Sequence, residues 1–193
     1  MSAKLINIAL DLETLSTQEN AAIIQIGCCI PEFDRIHLPP DMRETSYEFE
    51  VTISYDACVN SDFHMSKSTM EWWDKQDPKV KKQVFSGQDS YIDAFDAFSF
   101  WIASVKSGGA DVAIWGNGSD FDNRLLSYSL DSLGYHNVWS FRNNRDLRTL
   151  KALFPAEIQT NDSEIKHTAL GDARYEARLI NTIHTVYIAA GGL

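Results

Sequence analysis

An apolar run at residues 5–10, Leu-Ile-Asn-Ile-Ala-Leu, leads straight into Asp11-Leu12-Glu13. Such a run reads as a strand covered on both faces, and alternate side chains of a strand share a side. Asp11 and Glu13 therefore project together while Leu12 turns into the core. Two carboxylates held side by side repel, so a fold that keeps them there calls for a cation between them. All-oxygen ligation suits magnesium or manganese. Taken alone, the pair also fits an ordinary acidic strand end running into a turn.

Around this segment the pattern predicts a mixed architecture. After a polar turn at 16–20, residues 21–30 repeat the apolar run, and residues 47–53 alternate with Tyr47, Phe49, Val51 and Ile53 on one face. That is a three-stranded antiparallel meander, with a loop over residues 31–44. A helical middle follows. Ser68 and Glu71 have capping-box spacing ahead of Trp72 and Trp73, Asp77-Pro78 starts another helix, and residues 90–105 form a longer one that Gly108 and Gly109 stop. Residues 112–115 read as a short buried strand. Residues 116–118 turn, and Ser119 or Asp120 caps a helix running to Leu133. Residues 138–141 are a weak strand candidate, residues 146–153 a short helix and residues 168–190 a long closing helix. The fold class is thus α/β, one domain over residues 1–193, with a mixed sheet of meander and parallel strands flanked by helices.

Composition excludes several classes. A chain of 193 residues is long enough to bury roughly 70% of the surface it exposes unfolded. It contains no apolar run of membrane-spanning length, and its N-terminus lacks the pattern of a signal peptide, so a soluble cytoplasmic protein is expected. Cys28, Cys29 and Cys58 are odd in number and lack C-x-x-C spacing, which reads as reduced, buried thiols rather than a zinc site. With 17 basic residues against 27 acidic ones the net charge is -10. That disfavours binding of duplex nucleic acid through a broad cationic surface and leaves a local, metal-bridged contact open.

Two further elements carry chemistry. In Trp115-Gly116-Asn117-Gly118-Ser119-Asp120-Phe121-Asp122 a strand meets a glycine turn and a helix start bearing two acids. Favourable interaction with the helix dipole accounts for Asp120. Asp122 differs, because Phe121 beside it would anchor the helix to the core and fix where the carboxylate points. In the last element, His167 precedes a helix and Asp172 lies in its first turn. An imidazole beside clustered acids is poised for proton transfer near neutral pH.

These motifs together resemble the DEDDh (DnaQ-like) subclass of the DEDD 3′-5′ exonucleases, on a ribonuclease H-like fold. Asp11 and Glu13 match the first motif, Asp122 the second through N-x3-F-D, and His167 with Asp172 the third through H-x4-D. The resemblance spans residues 5–183. The words ALDLETL, EWWDKQ, WGNGSDFDN, RDLRTL and HTALGDARYEA are similar to the small bacterial and phage branch of exoribonucleases and exonuclease VIII-like proteins. The resemblance implies two divalent ions, Mg2+ or Mn2+, held by Asp11, Glu13, Asp122 and Asp172, with Asp11 shared between them and His167 as general base. It implies single-stranded nucleic acid with a free 3′ end as substrate, RNA slightly favoured over DNA, and nucleoside 5′-monophosphates as products; the alternatives are a DNA-directed 3′-5′ exonuclease of repair or proofreading type, or a non-catalytic nucleic-acid-binding module on the same fold.

The candidate substrate-contacting set is Thr14, Leu15, Asn117, Phe121 and Trp73, of which the resemblance implies Thr14 and Leu15. Thr14 would meet the terminal 3′ hydroxyl through its backbone, and Leu15 the base. Of Trp72 and Trp73 only one can stack on a base, a contact worth ~1–3 kcal/mol, because adjacent helical residues face different ways. Arg142, Arg145, Arg148 and Lys151 form the one basic stretch, as a receptor for the phosphate backbone or a solvated helix face. Substrate choice is assigned to the loops at 31–45 and 155–165. The closing helix is expected to pack in the core or against a second subunit of a homodimer.

Overall fold

In a computed structural model, which describes residues 4–43, 46–136, 138–155 and 167–191, the first apolar segment is the central strand β1 (Leu5–Thr14). On one side β1 pairs antiparallel with β2 (Ile23–Cys29), which pairs antiparallel with β3 (Glu48–Thr52). On the other it pairs parallel with β4 (Asp111–Gly116), which pairs parallel with β5 (Asn144–Asp146). The order β3-β2-β1-β4-β5 is the expected meander extended by parallel strands.

Alternation along β1 divides the interior in two. Ile6, Ile8, Leu10 and Leu12 belong to a large core that includes Phe95, Phe98 and Ile102 from helix α5 (Tyr91–Lys106) and Leu125, Leu126 and Leu130 from helix α6 (Asp122–Ser132). Ala9 faces the other way. It meets Ala173, Ala177, Ile180 and Ile183 of the closing helix α8 (Ala169–Ala189). Asp11 and Glu13 continue the α8-facing series, which places them at the end of the sheet near that helix's N-terminus.

Gly27 determines how closely the helix comes. It pairs with Asp11 across the β1–β2 ladder, and a Cβ on it would stand 2.1 Å from Ala169 C and 2.2 Å from Leu170 N. No side chain fits there without moving the helix. Gln25, two residues along the same face, donates to Thr52 Oγ1 at 2.9 Å and accepts from the Ala169 N–H at 2.8 Å. It thereby satisfies a first-turn donor of α8 whose own cap residue, Thr168, makes no side-chain cap bond. The bidentate pair of Arg174 with Glu48, at 2.9 and 2.7 Å, pins the same helix to β3.

Several boundaries differ from the sequence reading. Residues 138–141 form no strand: Trp139 is buried and donates to Asn144 Oδ1, while Ser140 opens a 3-10 turn (Phe141–Asn143) that leaves Phe141 exposed. The pairing with β4 falls one turn later, on Asn144–Asp146. Helix α3 (Lys67–Trp73), preceded by α2 (Tyr55–Val59), is capped by Ser66 rather than started at Ser68. Helix α4 (Pro78–Val84) starts at Asp77-Pro78, and α7 (Leu147–Leu153) is capped by Asp146. The supposed loop after β2 contains the short helix α1 (Glu32–Arg35) and a 3-10 turn, Pro40–Met42. Asp34 of α1 is buried and accepts from the Asn7 backbone N–H at 2.8 Å, covering the part of β1 that extends past the end of β2. Neither Ser119 nor Asp120 caps α6; Phe121 stands at its N-cap without a side-chain bond.

The three cysteines are free and buried, and no helix among the described residues is long and apolar enough to cross a membrane. The predicted loop at 155–165 lies outside the described residues except Pro155, and Glu44 and Thr45 of the 31–45 loop lie outside them too.

Gly27→Ala tests the seat of α8. Its methyl meets the backbone of α8, so overpacking is expected to cost at least about 1–3 kcal/mol in urea denaturation. Wild-type stability would show that the close approach is not required.

Candidate active site

Four segments meet at the C-terminal ends of β1 and β4. The β1–β4 ladder stops at Ala9 and Trp115, so beyond it β1 is paired with β2 alone. Backbone N–H groups of Leu12, Asn117 and Asp122 itself favour the charged form of the Asp122 carboxylate. Gly116 lets the acid in: a Cβ there would stand 2.4 Å from Asn123 Oδ1 and 3.2 Å from Asp122 Oδ2. Asn123 is fully buried and donates to the Ile114 carbonyl at 2.9 Å. The N-x3-F-D register thus aims one carboxylate by strand end, glycine and buried amide together. Asp120, by contrast, is exposed.

From α8 comes Asp172, whose Oδ2 accepts the His167 N–H at 2.8 Å. His167 has φ 62°, a left-handed conformation costing of the order of 1–3 kcal/mol in a residue other than glycine. Its ring meets that of Trp72 edge-on with centroids 5.2 Å apart. One donor atom from each of Glu13, His167 and Asp172 falls within 4.8 Å of the others, so these three can share one cation.

The electrostatics show how crowded the acids are. Loss of surrounding water raises Asp11 well above the ordinary carboxylate range, and the charges of Asp122, Glu176, Glu13 and Asp172 raise it further. Burial, then Asp172 and Asp122, push Glu13 up to about 8. Burial pushes Asp122 up to about 7, although its backbone hydrogen bonds and the Arg148 guanidinium act the other way. Without a cation this site binds protons in place of metal. The oxygen-rich donors and the charge they lack fit divalent ions.

The structure brings together Asp11, Glu13, Asp122, His167 and Asp172, but it divides the substrate-contacting set. Trp73 is fully buried, with Nε1 donating to the Thr14 carbonyl at 3.0 Å, so it cannot stack on a base. Its role is to hold the end of β1. Leu15 is likewise fully buried and presents no side-chain surface to a base. Thr14 is buried, with Oγ1 donating to the Ser16 carbonyl. Phe121 packs against the core, and Asn117 Oδ1 accepts from Lys151 Nζ at 3.1 Å. Trp72 is the half-exposed indole beside His167. Of the basic stretch, Arg148 lies against Gly118 and acts on Asp122, and Lys151 acts on Glu176. Arg142 lies over Phe141, and Arg145 bonds the carbonyls of Arg142 and Asn144.

Sequence reasoning missed Glu176. It is buried and sits one helical turn after Asp172, and that i, i+4 spacing was the signal that put it on the same face.

A family model described as the 3′-5′ exoribonuclease Rv2179c-like domain matches residues 6–184. The chain belongs to that family. It is a 3′-5′ exonuclease. An exodeoxyribonuclease of Enterobacteria phage T4 is 26% identical over 191 residues, spanning 84% of this chain and 82% of the phage protein. Among solved structures, the nuclease domain of 3′hExo, a DEDDh family member bound to rAMP, superposes with a TM-score of 0.61 at 11% identity, covering 96% of this chain and 94% of that one. The cell-death related nuclease CRN-4 gives 0.56 at 12% identity over 95% of this chain and 65% of its own. At such identities the structural matches speak to the fold, a ribonuclease H-like sheet with flanking helices.

The raised acids set the sign of a pH effect. Asp122 moves from 3.8 to about 7 and Glu13 from 4.5 to about 8 on folding. The stability this confers is complete below about pH 4, declines as pH rises and is gone above the folded values. The EDTA-treated exonuclease should therefore lose thermal stability between about pH 4 and 8, less steeply in Asp122→Asn, and excess Mn2+ should flatten the curve. A metal-free melting temperature that holds or rises across that window would contradict the crowding.

Proposed function

We propose that this exonuclease acts on the free 3′ ends of single-stranded nucleic acid, with RNA slightly favoured, and releases nucleoside 5′-monophosphates with two divalent cations, Mg2+ or Mn2+. The observation that carries this is the convergence of Asp11, Glu13, Asp122 and Asp172 with mutually raised carboxyls beside His167. Glu13 and Asp172 would hold one ion, Asp122 the other, and Asp11 both. Bound there, divalent ions supply Lewis-acid stabilisation of phosphoryl charge and of the water that attacks.

The chain's own residues do the rest. His167 takes the proton of the attacking water at a ring nitrogen, its backbone fixed by the bond to Asp172 and its ring steadied by Trp72. Arg148, beside the glycine turn, meets the phosphate charge. The exposed face of Trp72 offers the terminal base a stacking surface. The phage relative, named an exodeoxyribonuclease, favours a second reading in which DNA is the better substrate.

Asp11→Ala, Asp122→Ala and Asp172→Ala should abolish turnover while the protein stays folded, and His167→Ala should slow it about 10²–10⁴-fold, the range for a lost general base. EDTA should stop the wild type. A 5′-labelled single strand incubated with Mg2+ or Mn2+ should give a ladder shortening from the 3′ end, and matched RNA and DNA oligomers rank the two readings. Normal cleavage by any of the three Asp variants, or activity that survives EDTA, would sink the mechanism.

A further inference from the structure

The four acids and the histidine leave one buried charge unexplained. Glu176 is 2% exposed, and its Oε2 is buried with no hydrogen-bond partner. A carboxylate oxygen in that position costs on the order of 1–3 kcal/mol or more if nothing binds it. It stands on the same face of α8 as Asp172. Asp11 feels the Glu176 charge more strongly than that of Glu13, two residues away on the same strand, and less strongly only than that of Asp122. Glu176 in turn feels Asp122 before Asp172. Glu176 thus shares the field of Asp11 and Asp122 as well as that of Asp172, its neighbour one turn back on α8.

We propose that Glu176 is a fifth carboxylate of the metal centre, directed at the cation that Asp11 and Asp122 hold, with Lys151 as its counter-charge. This rests on the metal-dependent reading above. Four carboxylates already balance two dications, so a fifth needs a positive partner. Lys151 supplies it from α7: its Nζ is fixed by Asn117 Oδ1, and its charge opposes the cost of keeping Glu176 ionised. A helix-packing glutamate would instead find a donor for its buried oxygen, or be replaceable by an apolar residue of the same volume.

The test is Mn2+ binding to the metal-free full-length chain by calorimetry, alongside its unfolding in EDTA. Glu176→Gln keeps the shape and removes the charge. It should fold at least as stably as wild type in EDTA, and bind Mn2+ about 10–100-fold more weakly, the span expected when groups supporting a metal's ligands are lost. Glu176→Asp, which retains a carboxylate one methylene short, should fall between the two, while Glu32→Gln, on α1, should bind as wild type. A Gln variant with wild-type affinity overturns the proposal alone. Should that variant not fold, an Asp variant with wild-type affinity overturns it. A wild-type chain that takes up no Mn2+ overturns the metal-dependent reading first and this inference with it.

Discussion

The contact on which the site depends is the one between the first turn of α8 and the bare backbone of Gly27. A helix crossing a sheet over ordinary side chains rides about 10 Å above it, a separation that belongs to packed layers in general. Over a glycine it comes closer, and here it is held by Gln25 at its N-terminus and by Arg174 with Glu48 further along. Since Gly27 pairs with Asp11, the point of closest approach is beside the first acid. Asp172 and Glu176 arrive over β1 for that reason. The second close approach, Gly116 against Asp122, acts from the other side of the same strand. Two missing side chains thus create the space in which acids from distant segments can face one another.

Assembling them works against folding. Glu13, Asp122 and Glu176 are buried, their charges repel, and His167 carries backbone strain besides. The architecture resists this with a second core on the α8 face, with backbone donors aimed at Asp122, and with Arg148 and Lys151 placed where they soften the field. The compensation is incomplete, as the raised carboxyls show. Such a residual deficit is what cation binding can turn into affinity, because an ion that relieves repulsion gains more than one entering a neutral pocket.

How much of this could be read from the chain follows the range of each interaction. Asp11 and Glu13 were legible because strand alternation is local. The helix start at Asp77-Pro78 was legible because an Asp side chain that bonds the backbone two residues on, ahead of a proline, leaves a sequence mark. The cap of α6 was misread because its first turn is fixed by tertiary contacts of Asp122 and Asn123, with no local side-chain bond to announce it. The two tryptophans show the same limit. Helical spacing established that they face apart, but which one is buried depends on the Thr14 carbonyl, 59 residues away and in need of a donor. The family pattern pointed to Leu15 as a base contact, and burial at the strand end removes its side chain from view. Glu176 was hidden for another reason: the H-x4-D register ends at Asp172, and a charged residue mid-helix ordinarily signals a solvated face.

The charge distribution also bears on the kind of substrate end the site can accept. A chain with net charge -10 repels a polyanion over most of its surface, and the basic stretch gives only Arg148 and Lys151 to the site. Lys151 is engaged with Asn117 and Glu176, which leaves Arg148, among the described residues of that stretch, for a phosphate. With so little fixed positive charge, attraction must come mostly from cations held by the acids, and it is confined to the few ångströms around them. A duplex, whose backbone needs contacts spread along the groove, gains little from so local a field. A single strand can bring one terminal phosphate to the acids and its last base to Trp72 without approaching the rest of the surface. Under the proposed function, a preference for ends over internal bonds and for unpaired over paired strands would follow from where the described positive charge is, before any loop contacts the sugar.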